Sequence, residues 1–452
     1  MVPSLTPTRP GGKIDAMLLA GFLLACLTQD LPDLGTRKAG VDWPCFLGPN
    51  HDGSSPETGL KPWPASGPRI LWQRELGDGY AACAIFKGRL FQFDRVGERN
   101  RLSCVRSETG AELWKYEYAT SYQDSYGAGN GPRCCPVADG DRVYLFDPDG
   151  VLSCVRAADG TLAWKKDTTR EFGVLKNFFG VGSTPVVEGD LLIAMVGGSP
   201  ADSPDVATGE TKGNGSGLVA FEKRTGDVKW RISDELASYS SPVVATVNGR
   251  RCGFAFTRNG LLAFDPVAGK VEFFHPWRAR SITTVNISNP VVAGDLVLVS
   301  EAYGVGSCVL RVKPGGCDVV WEDGRKRDRL LMAYWNTPIH VNGSLYGSNG
   351  QGSEADLRCI DLLNGRLRWS APDLKQCSLT LVDGHLVCLS EEGVLRLVRT
   401  NPERCDVVAQ TVLKDKGGAP LIEAPARAAP VLSHGLLYVR GAGRLVCIEL
   451  IP

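Results

Sequence analysis

Aromatic, arginine and amide side chains gather in several short segments of the 452-residue sequence, each placed just before an apolar run. This mixture recurs in ligand pockets and binding hot spots, because rings supply apolar area while polar groups direct hydrogen bonds. The candidate residues for such a binding surface are Tyr126, Asn130, Arg133, Asn177, Phe178, Tyr239, Arg278, Arg280, Asn286, Trp335, Asn336 and Arg427. The alternative is that these rings only cap hydrophobic cores and the polar groups only satisfy loop carbonyls.

No familiar catalytic motif accompanies these residues. The sequence contains no Cys-x-x-Cys or His/Cys cluster with zinc spacing, no phosphate-binding glycine loop, no His-Glu-x-x-His motif and no recognisable Ser-His-Asp arrangement. Carboxylates such as Asp124 and Glu171 lie near the candidates, but they form no pair with the spacing of a metal site. We therefore predict no catalytic residue and no metal site.

Two repeated phrases define the elements that must position the candidates. The first is an apolar run, a glycine turn and a second run that ends in an aromatic residue. Its copies span 102–114, 152–164, 218–230, 261–273 and 357–369, with degenerate copies at 309–321, 395–409 and 445–450. The second phrase starts at 135, 184, 241, 289 and 337, with weaker starts at 83, 378 and 429. Each phrase predicts a β-hairpin, because glycine reaches the positive φ that a tight turn needs.

Two hairpins make a four-stranded blade, and eight such units predict an all-β, eight-bladed β-propeller of four-stranded antiparallel blades. The last phrase, 445–450, lacks its aromatic strand, whereas Trp72 lies in an aromatic strand with no hairpin before it. We predict that this N-terminal strand closes the ring as the outer strand of the blade built by 429–450. The repeated tryptophans then pack between blades, and the candidate segments converge as a funnel around the central channel.

The chain divides into three parts. Residues 69–452 form the propeller, 36–68 an extended leader that packs on the ring, and 1–35 a signal peptide or lipoprotein signal. The apolar run 16–27 is too short to span a bilayer as a helix but has the length of a signal-peptide core. Cys26 is a candidate for lipidation; ordinary cleavage nearby and an uncleaved anchor are the alternatives. We predict an exported protein, periplasmic or membrane-attached.

The charge balance argues against one class of partner, and the positions of the cysteines indicate packing rather than disulfide bonds. Lysine plus arginine and aspartate plus glutamate both number 50, and neither sign forms a long block, which argues against nucleic acid. We predict a monomer. Cysteines in the same register of different blades are too far apart to pair, so they serve as small buried side chains. Cys134 and Cys135 either form a strained vicinal disulfide or, in the interpretation we favour, Cys135 fills the position of Thr184 and Ser241 in other blades.

The hairpin phrase is similar to the pyrrolo-quinoline-quinone (PQQ) repeat, matching it at Thr109-Gly110, Thr225-Gly226, Ala263-x-Asp265 and the aligned tryptophans. Segment 43–60 resembles the leader of exported PQQ-like propellers of the planctomycete type. The wider superfamily holds quinoprotein dehydrogenases and non-enzymatic propellers, including the β-propeller lipoprotein of the outer-membrane β-barrel assembly machinery. The resemblance therefore implies the propeller fold and leaves the function open.

We expect an exported, non-catalytic scaffold that binds a protein or small-molecule ligand on its funnel face and needs no cofactor. The alternative that the resemblance implies is a PQQ- and Ca²⁺-dependent quinoprotein dehydrogenase. Such an enzyme would hold PQQ over a tryptophan, coordinate Ca²⁺ through oxygen ligands, use an aspartate as general base and, in some members, cover the cofactor with a vicinal disulfide. A carbohydrate-binding propeller that uses the aromatic funnel is a third, weaker alternative.

Overall fold

The computed structural model describes residues 1–4, 31–176, 178–204, 209–281, 286–324 and 326–452. Eight four-stranded antiparallel blades are arranged so that first strands of neighbouring blades contact one another around a central channel; seven blades are built from consecutive strands. The first strands have three residues in six of the blades and are more buried than the fourth strands, which alternate between exposed and partly buried residues. The predicted eight-bladed propeller of four-stranded blades is confirmed.

Blade 1 consists of β3 (Ala84–Phe86), β4 (Arg89–Val96), β5 (Arg99–Arg106) and β6 (Glu112–Ala119), and blade 2 of β7 (Val137–Asp139), β8 (Arg142–Phe146), β9 (Val151–Arg156) and β10 (Leu162–Asp167). Blade 3 consists of β11 (Val186–Glu188), β12 (Leu191–Met195), β13 (Leu218–Glu222) and β14 (Val228–Ile232). Blade 4 consists of β15 (Val243–Val247), β16 (Arg250–Phe256), β17 (Gly260–Asp265) and β18 (Lys270–Pro276).

Blade 5 consists of β19 (Val291–Ala293), β20 (Leu296–Glu301), β21 (Gly306–Lys313) and β22 (Gly316–Glu322), and blade 6 of β23 (Ile339–Val341), β24 (Ser344–Asn349), β25 (Asp356–Asp361) and β26 (Leu367–Ala371). Blade 7 consists of β27 (Cys377–Val382), β28 (His385–Ser390), β29 (Val394–Arg399) and β30 (Asp406–Val412), and β1 (Ser54–Ser55) of the leader pairs with it. Blade 8 consists of β31 (Val431–Ser433), β32 (Leu436–Arg440) and β33 (Arg444–Glu449) and is completed by β2 (Arg69–Glu75).

The repeated tryptophans pack between blades, as predicted. Trp114 in β6 lies opposite Cys104 across a β-bulge, and its Nε1 donates a 3.2 Å hydrogen bond to the carbonyl of Ala157 in the next blade. Its ring also covers Gly160, where a Cβ atom would lie 2.5 Å from the ring. Two constraints therefore require glycine at this position: the backbone φ of +74°, and the close contact with the neighbouring tryptophan ring, which leaves no room for a side chain.

Strand β2 closes the ring. Trp72 lies opposite Cys447 in β33, and its Nε1 donates a 3.0 Å hydrogen bond to the carbonyl of Ser107 in blade 1. The N-terminal strand thus completes blade 8 and joins it to blade 1 with the same contact that the other tryptophans make. The predicted closure at Trp72 is confirmed, and it leaves no incomplete blade.

The leader crosses from blade 1 to blade 7. Trp43 bridges to Ile85 in blade 1, while Ser54 and Ser55 pair in parallel with Leu381 and Val382 of β27. Side-chain carboxylates fix this path. The Glu57 carboxylate accepts two 2.7 Å hydrogen bonds from the backbone N–H groups of the His434-Gly435 turn in blade 8.

Helix is scarce in this fold. The described residues contain one α-helix, α1 (Thr168–Phe172), and two 3-10 turns, Gly352–Glu354 and Pro372–Leu374. None of these helices has the length and apolar character needed to cross a membrane. The predicted lipidation residue, Cys26, lies outside the described residues.

Candidate functional site

A cavity of about 380 Å³ occupies the end of the central channel where the first strands of the blades begin. Every blade contributes one residue at or next to the start of the second repeated phrase; in all blades except blade 7 this residue lies two positions before the first strand. These eight collar residues are Ala82, Cys135, Thr184, Ser241, Asn289, Thr337, Ser378 and Ala429. The repeat itself therefore places one side chain per blade in a common ring.

Side-chain oxygens of the collar tie consecutive blades together. The backbone N–H of Cys135 donates to Thr184 Oγ1 at 3.0 Å, that of Thr184 to Ser241 Oγ at 2.9 Å, and that of Ser241 to Asn289 Oδ1 at 2.9 Å. Asn289 continues the chain by donating to Thr337 Oγ1 at 3.3 Å. Because these oxygens act as acceptors, the O–H groups of Ser241 and Thr337 and the NH₂ group of Asn289 can donate into the cavity.

A second layer lies above the collar. In an extended chain, residues two apart point to the same side, and in every blade except blade 7 the residue two before the collar position also lines the cavity. This layer contains Tyr80, Arg133, Tyr239, Trp335 and Arg427. The layer differs from blade to blade, unlike the strands below it, and therefore sets the chemistry of the cavity.

Two arginines flank one tyrosine on the wall made by blades 8, 1 and 2. The guanidinium carbon of Arg133 lies 5.6 Å from the Tyr80 ring centroid, and that of Arg427 lies 5.4 Å from the same centroid. Arg133 also lies 5.3 Å from the Phe179 ring. Contacts of this kind hold a guanidinium against a ring without using its N–H donors.

Carboxylates behind these arginines orient them. Arg133 Nη2 lies 3.5 Å from the buried Asp124 carboxylate, and Arg427 Nε donates to Glu391 at 2.8 Å. The Arg133 side chain keeps 13% of its surface exposed and that of Arg427 keeps 35%. Both guanidiniums thus reach the cavity with a carboxylate on the far side.

Aromatic side chains form the wall beyond Arg133. The Tyr239 hydroxyl accepts a 2.6 Å hydrogen bond from the backbone N–H of Phe179, and the two ring centroids are 5.7 Å apart. Burial raises the pKa of Tyr239 far above its usual range, so this hydroxyl stays neutral at physiological pH. Tyr126 stands at the rim with 62% of its surface exposed and packs edge-on against Phe179.

The floor of the cavity comes from the leader. Phe46 and Leu47 line it, at the point where the leader crosses the channel between blades 1 and 7. Trp43 packs under the Gly48 turn that follows, where a Cβ atom would lie 2.7 Å from the indole. The tryptophan and glycine of the leader motif thus position two apolar side chains beneath the collar.

The structure brings six of the sequence-predicted residues together in the cavity lining: Tyr126, Arg133, Tyr239, Trp335, Asn336 and Arg427. Four described candidates lie outside the lining: Asn130, Phe178, Arg278 and Asn286. Arg280, a fifth, is also outside it and exposed. Asn177 is not among the described residues.

The displaced candidates have local contacts instead. Asn286 is buried and donates to the carbonyl oxygens of Thr257 and Trp277, so its amide holds the loop together. Arg278 donates to Asn259 at 2.9 Å, and burial lowers its pKa. For these residues, the interpretation that polar groups satisfy nearby loop atoms describes the structure better than the funnel prediction.

Three groups of lining residues were not predicted from the sequence. Tyr80 carried a usable signal, because it stands two residues before the collar position Ala82, as Arg133 stands before Cys135. Phe179 and Tyr334 neighbour residues that were chosen, and only the loop conformation decides which of them faces the cavity. The floor carried no repeat signal at all, since the leader is not part of the repeat.

Cys135 occupies the collar position, and both Cys134 and Cys135 are free, buried thiols. The structure therefore matches the interpretation in which Cys135 replaces the threonine or serine of other blades. Burial raises the pKa of Cys135 to about 12, so the thiol stays protonated at neutral pH. It contributes a small apolar surface to the cavity.

The donor set of the cavity does not fit a quinoprotein centre. A Ca²⁺ site requires several oxygen ligands, normally including carboxylates, yet no aspartate or glutamate lines this cavity within the described chain. Asp124 and Glu391, which lie behind the lining, are engaged by the arginines. Nowhere in the described ranges do three or more His, Cys, Asp or Glu side chains gather as a metal site would require.

Two solved structures illustrate the likeness of fold. BamB from Moraxella catarrhalis matches with a TM-score of 0.55 at 12% identity, covering 84% of this chain and 97% of that one. The quinohemoprotein alcohol dehydrogenase from Comamonas testosteroni matches with a TM-score of 0.61 at 12% identity, covering 90% of this chain and 80% of that one. Identities this low show a shared fold only.

Family membership rests on the sequence pattern rather than on these structures. No curated protein sequence matches the chain. A family model, described as outer membrane protein assembly factor BamB, matches residues 64–213 and 99–371, which together exceed half of the chain. The protein therefore belongs to this PQQ-repeat family of BamB-like β-propellers.

Proposed function

We propose that the protein is an exported, non-catalytic binding propeller whose partner or ligand occupies the funnel. One observation carries the proposal: a collar with one side chain from each of the eight blades, and above it a layer of larger side chains, converge on a single cavity. The cavity is rich in arginine, aromatic and hydroxyl groups, and none of the described residues that line it is a carboxylate. Such a site can bind by stacking and hydrogen bonding. It offers neither a general base nor a metal cage for catalysis.

The likeness to BamB supports a scaffold, and the likeness to the alcohol dehydrogenase supports an enzyme, so fold alone cannot choose between them. The lining favours the scaffold, because the residues that would make a PQQ and Ca²⁺ site are not gathered there. Export, and attachment through an N-terminal lipid, are part of the proposal and derive from the apolar run 16–27 and from Cys26.

Photo-crosslinking tests whether the funnel is a binding surface. A benzophenone amino acid placed at Tyr126, on the funnel rim, should crosslink to a partner in cells that export the protein. The matched control is Val267, which is equally exposed, at 66% against 62%, but lies on an outer turn of blade 4. Crosslinks from both positions alike, or from neither, would contradict a funnel-specific partner.

Reconstitution tests the enzymatic alternative. The purified chain is incubated with PQQ and Ca²⁺ and assayed for dye-linked oxidation of primary alcohols. We expect no turnover above that of the cofactor alone. Stoichiometric PQQ binding with turnover would overturn the scaffold proposal, whatever the crosslinking result.

A further inference from the structure

The funnel offers hydrogen-bond donors in excess of acceptors. Arg427 uses only Nε, in its contact with Glu391, and no group of the described chain engages its Nη1 or Nη2 atoms. The contacts of Arg133 with Gly129, Gly131 and Asp124 are long, at 3.3, 3.4 and 3.5 Å, and so are weak. Each guanidinium therefore has N–H groups left to bind an acceptor in the cavity.

The collar adds further donors. Thr184, Ser241 and Thr337 each accept a backbone N–H. The Thr184 hydroxyl also contacts the Cys135 thiol, whereas no contact among the described residues uses the O–H groups of Ser241 and Thr337 as donors. The Asn289 oxygen is likewise used as an acceptor, which directs its NH₂ group elsewhere. Since no carboxylate among the described residues lines the cavity, a ligand that supplies acceptors and negative charge fits these groups best.

The position of the arginines suggests two anionic groups rather than one. Both guanidiniums lie within 5.6 Å of the Tyr80 ring centroid, but they come from blades 2 and 8 on either side of blade 1. A ligand with one carboxylate can form a bidentate pair with one of them. A ligand with two carboxylates on a rigid body can pair with both, with its body against the rings of Tyr239 and Trp335.

We propose that the funnel binds a small organic dicarboxylate with a planar or apolar body, one carboxylate on Arg133 and the other on Arg427. This inference rests on the proposed function, because it takes the funnel to be the binding site. A neutral saccharide is a poorer match, since its many hydroxyl groups donate hydrogen bonds and the described lining has no carboxylate to accept them. The cavity volume of about 380 Å³ suits a ligand of one or two rings.

Isothermal titration of the wild-type chain with rigid probes tests the proposal without any variant. The probes are isophthalate, terephthalate and 4,4′-biphenyldicarboxylate, which differ in carboxylate separation, together with benzoate and terephthalamide. At pH 7.5 the acids are fully ionised. We expect at least one dicarboxylate to bind about tenfold or more tightly than benzoate, and terephthalamide to bind most weakly. Equal affinities for benzoate, terephthalamide and the dicarboxylates would overturn the proposal.

Arginine variants assign the two carboxylates. Arg133→Gln and Arg427→Gln should each reduce dicarboxylate affinity about tenfold, to the level of benzoate, while the double variant should lose both ligands. Arg280→Gln is the matched control, because it lies in the corresponding segment of blade 5 outside the cavity. A loss in the control as large as in the funnel variants would also overturn the proposal. Should a glutamine variant misfold, the lysine variants serve, since they keep the charge but lose bidentate geometry.

The outcomes separate this inference from the proposed function. Crosslinks from Tyr126 with no preference for dicarboxylates would remove the ligand class and leave the scaffold in place. Dicarboxylate binding together with PQQ-dependent turnover would keep the ligand class and remove the scaffold. Binding of a neutral disaccharide more tightly than any acid would contradict the dicarboxylate and favour the carbohydrate alternative.

Discussion

Blade 6 holds two tryptophans that serve different purposes. Trp369, in β26, lies opposite Cys359 and donates a 2.8 Å hydrogen bond to the carbonyl of Asn401 in blade 7. Trp335, just before β23, faces the cavity. Five other blades repeat the first tryptophan in register, whereas at the second position the other blades have tyrosine, arginine, glycine, isoleucine or glutamine. The repeated position is determined by packing between blades; the varied position is free of that constraint and can carry binding chemistry.

The largest effect should come from breaking the repeated contact at the ring closure. Trp72→Ala removes the ring that packs against blade 1 and its hydrogen bond to Ser107, so we expect a loss of about 3 to 5 kcal/mol in the free energy of unfolding. Trp335→Ala, at a varied position, should cost less than about 1 kcal/mol. Urea unfolding followed by far-ultraviolet circular dichroism measures both. Similar losses would erase the distinction between the two positions.

A glycine pair tests the same distinction at a turn. In Gly160→Ala the new methyl group would lie 2.5 Å from the Trp114 ring, at a φ of +74°. We expect a loss of about 3 kcal/mol, made of backbone strain and overpacking. Gly189→Ala has a similar φ of +57° but open space around it, and should lose only about 1 kcal/mol. Thermal unfolding measures both losses of stability. Equal losses in the two variants would refute the packing role of the tryptophan.

Glu301, at the end of β20, is buried next to the segment that leads to the funnel. Burial raises its pKa to about 7 from 4.5, outweighing the positive charge of Arg278. The folded state therefore binds the proton more tightly than the unfolded state, so the stability that this proton provides is present below pH 4.5 and is lost as the pH rises through 7.

We expect Glu301→Gln to unfold at the same urea concentration as the wild type near pH 4.5 and to be more stable by about 2 to 3 kcal/mol at pH 8. The exposed Glu403→Gln variant is the control. The difference between variant and wild type, measured across this range, isolates Glu301 from other groups. A difference that does not change with pH would contradict the raised pKa.

The smallest effect concerns the leader that forms the floor. Glu57→Gln replaces a carboxylate that accepts two backbone hydrogen bonds with an amide that can accept only on its oxygen. We expect a loss of about 1 to 2 kcal/mol, seen as a lower midpoint of thermal unfolding. Faster proteolysis within residues 36–68 should accompany it, whereas an unchanged cleavage rate would show that this carboxylate does not hold the leader.

The propeller fold was predictable from the sequence, because every blade packs against its neighbours in the same way and therefore repeats the same residues. The glycine turns, the aligned tryptophans and the orphan strand at Trp72 each followed from a repeated pattern and elementary strand geometry. The cysteines opposite the tryptophans followed in the same way, since Cys104 and Cys154 are buried, free thiols.

The cavity was predictable only in part. Strand alternation points the residue two before each collar position towards the channel, which holds for Arg133 and would have identified Tyr80. Asn286 and Arg278 lie in longer loops, where the direction of a side chain depends on which nearby backbone atoms it can satisfy. Phe46 and Leu47 belong to a segment with no repeat to fix its position.

One paired measurement tests most directly whether binding belongs to the varied positions and stability to the repeated ones. The Arg133→Gln/Arg427→Gln double variant is compared with the wild type for both urea unfolding and titration with the dicarboxylate that the wild type binds most tightly. We predict an unfolding free energy within about 1 kcal/mol of the wild type and a loss of binding of at least about a hundredfold. Retained binding together with a large loss of stability would contradict the account.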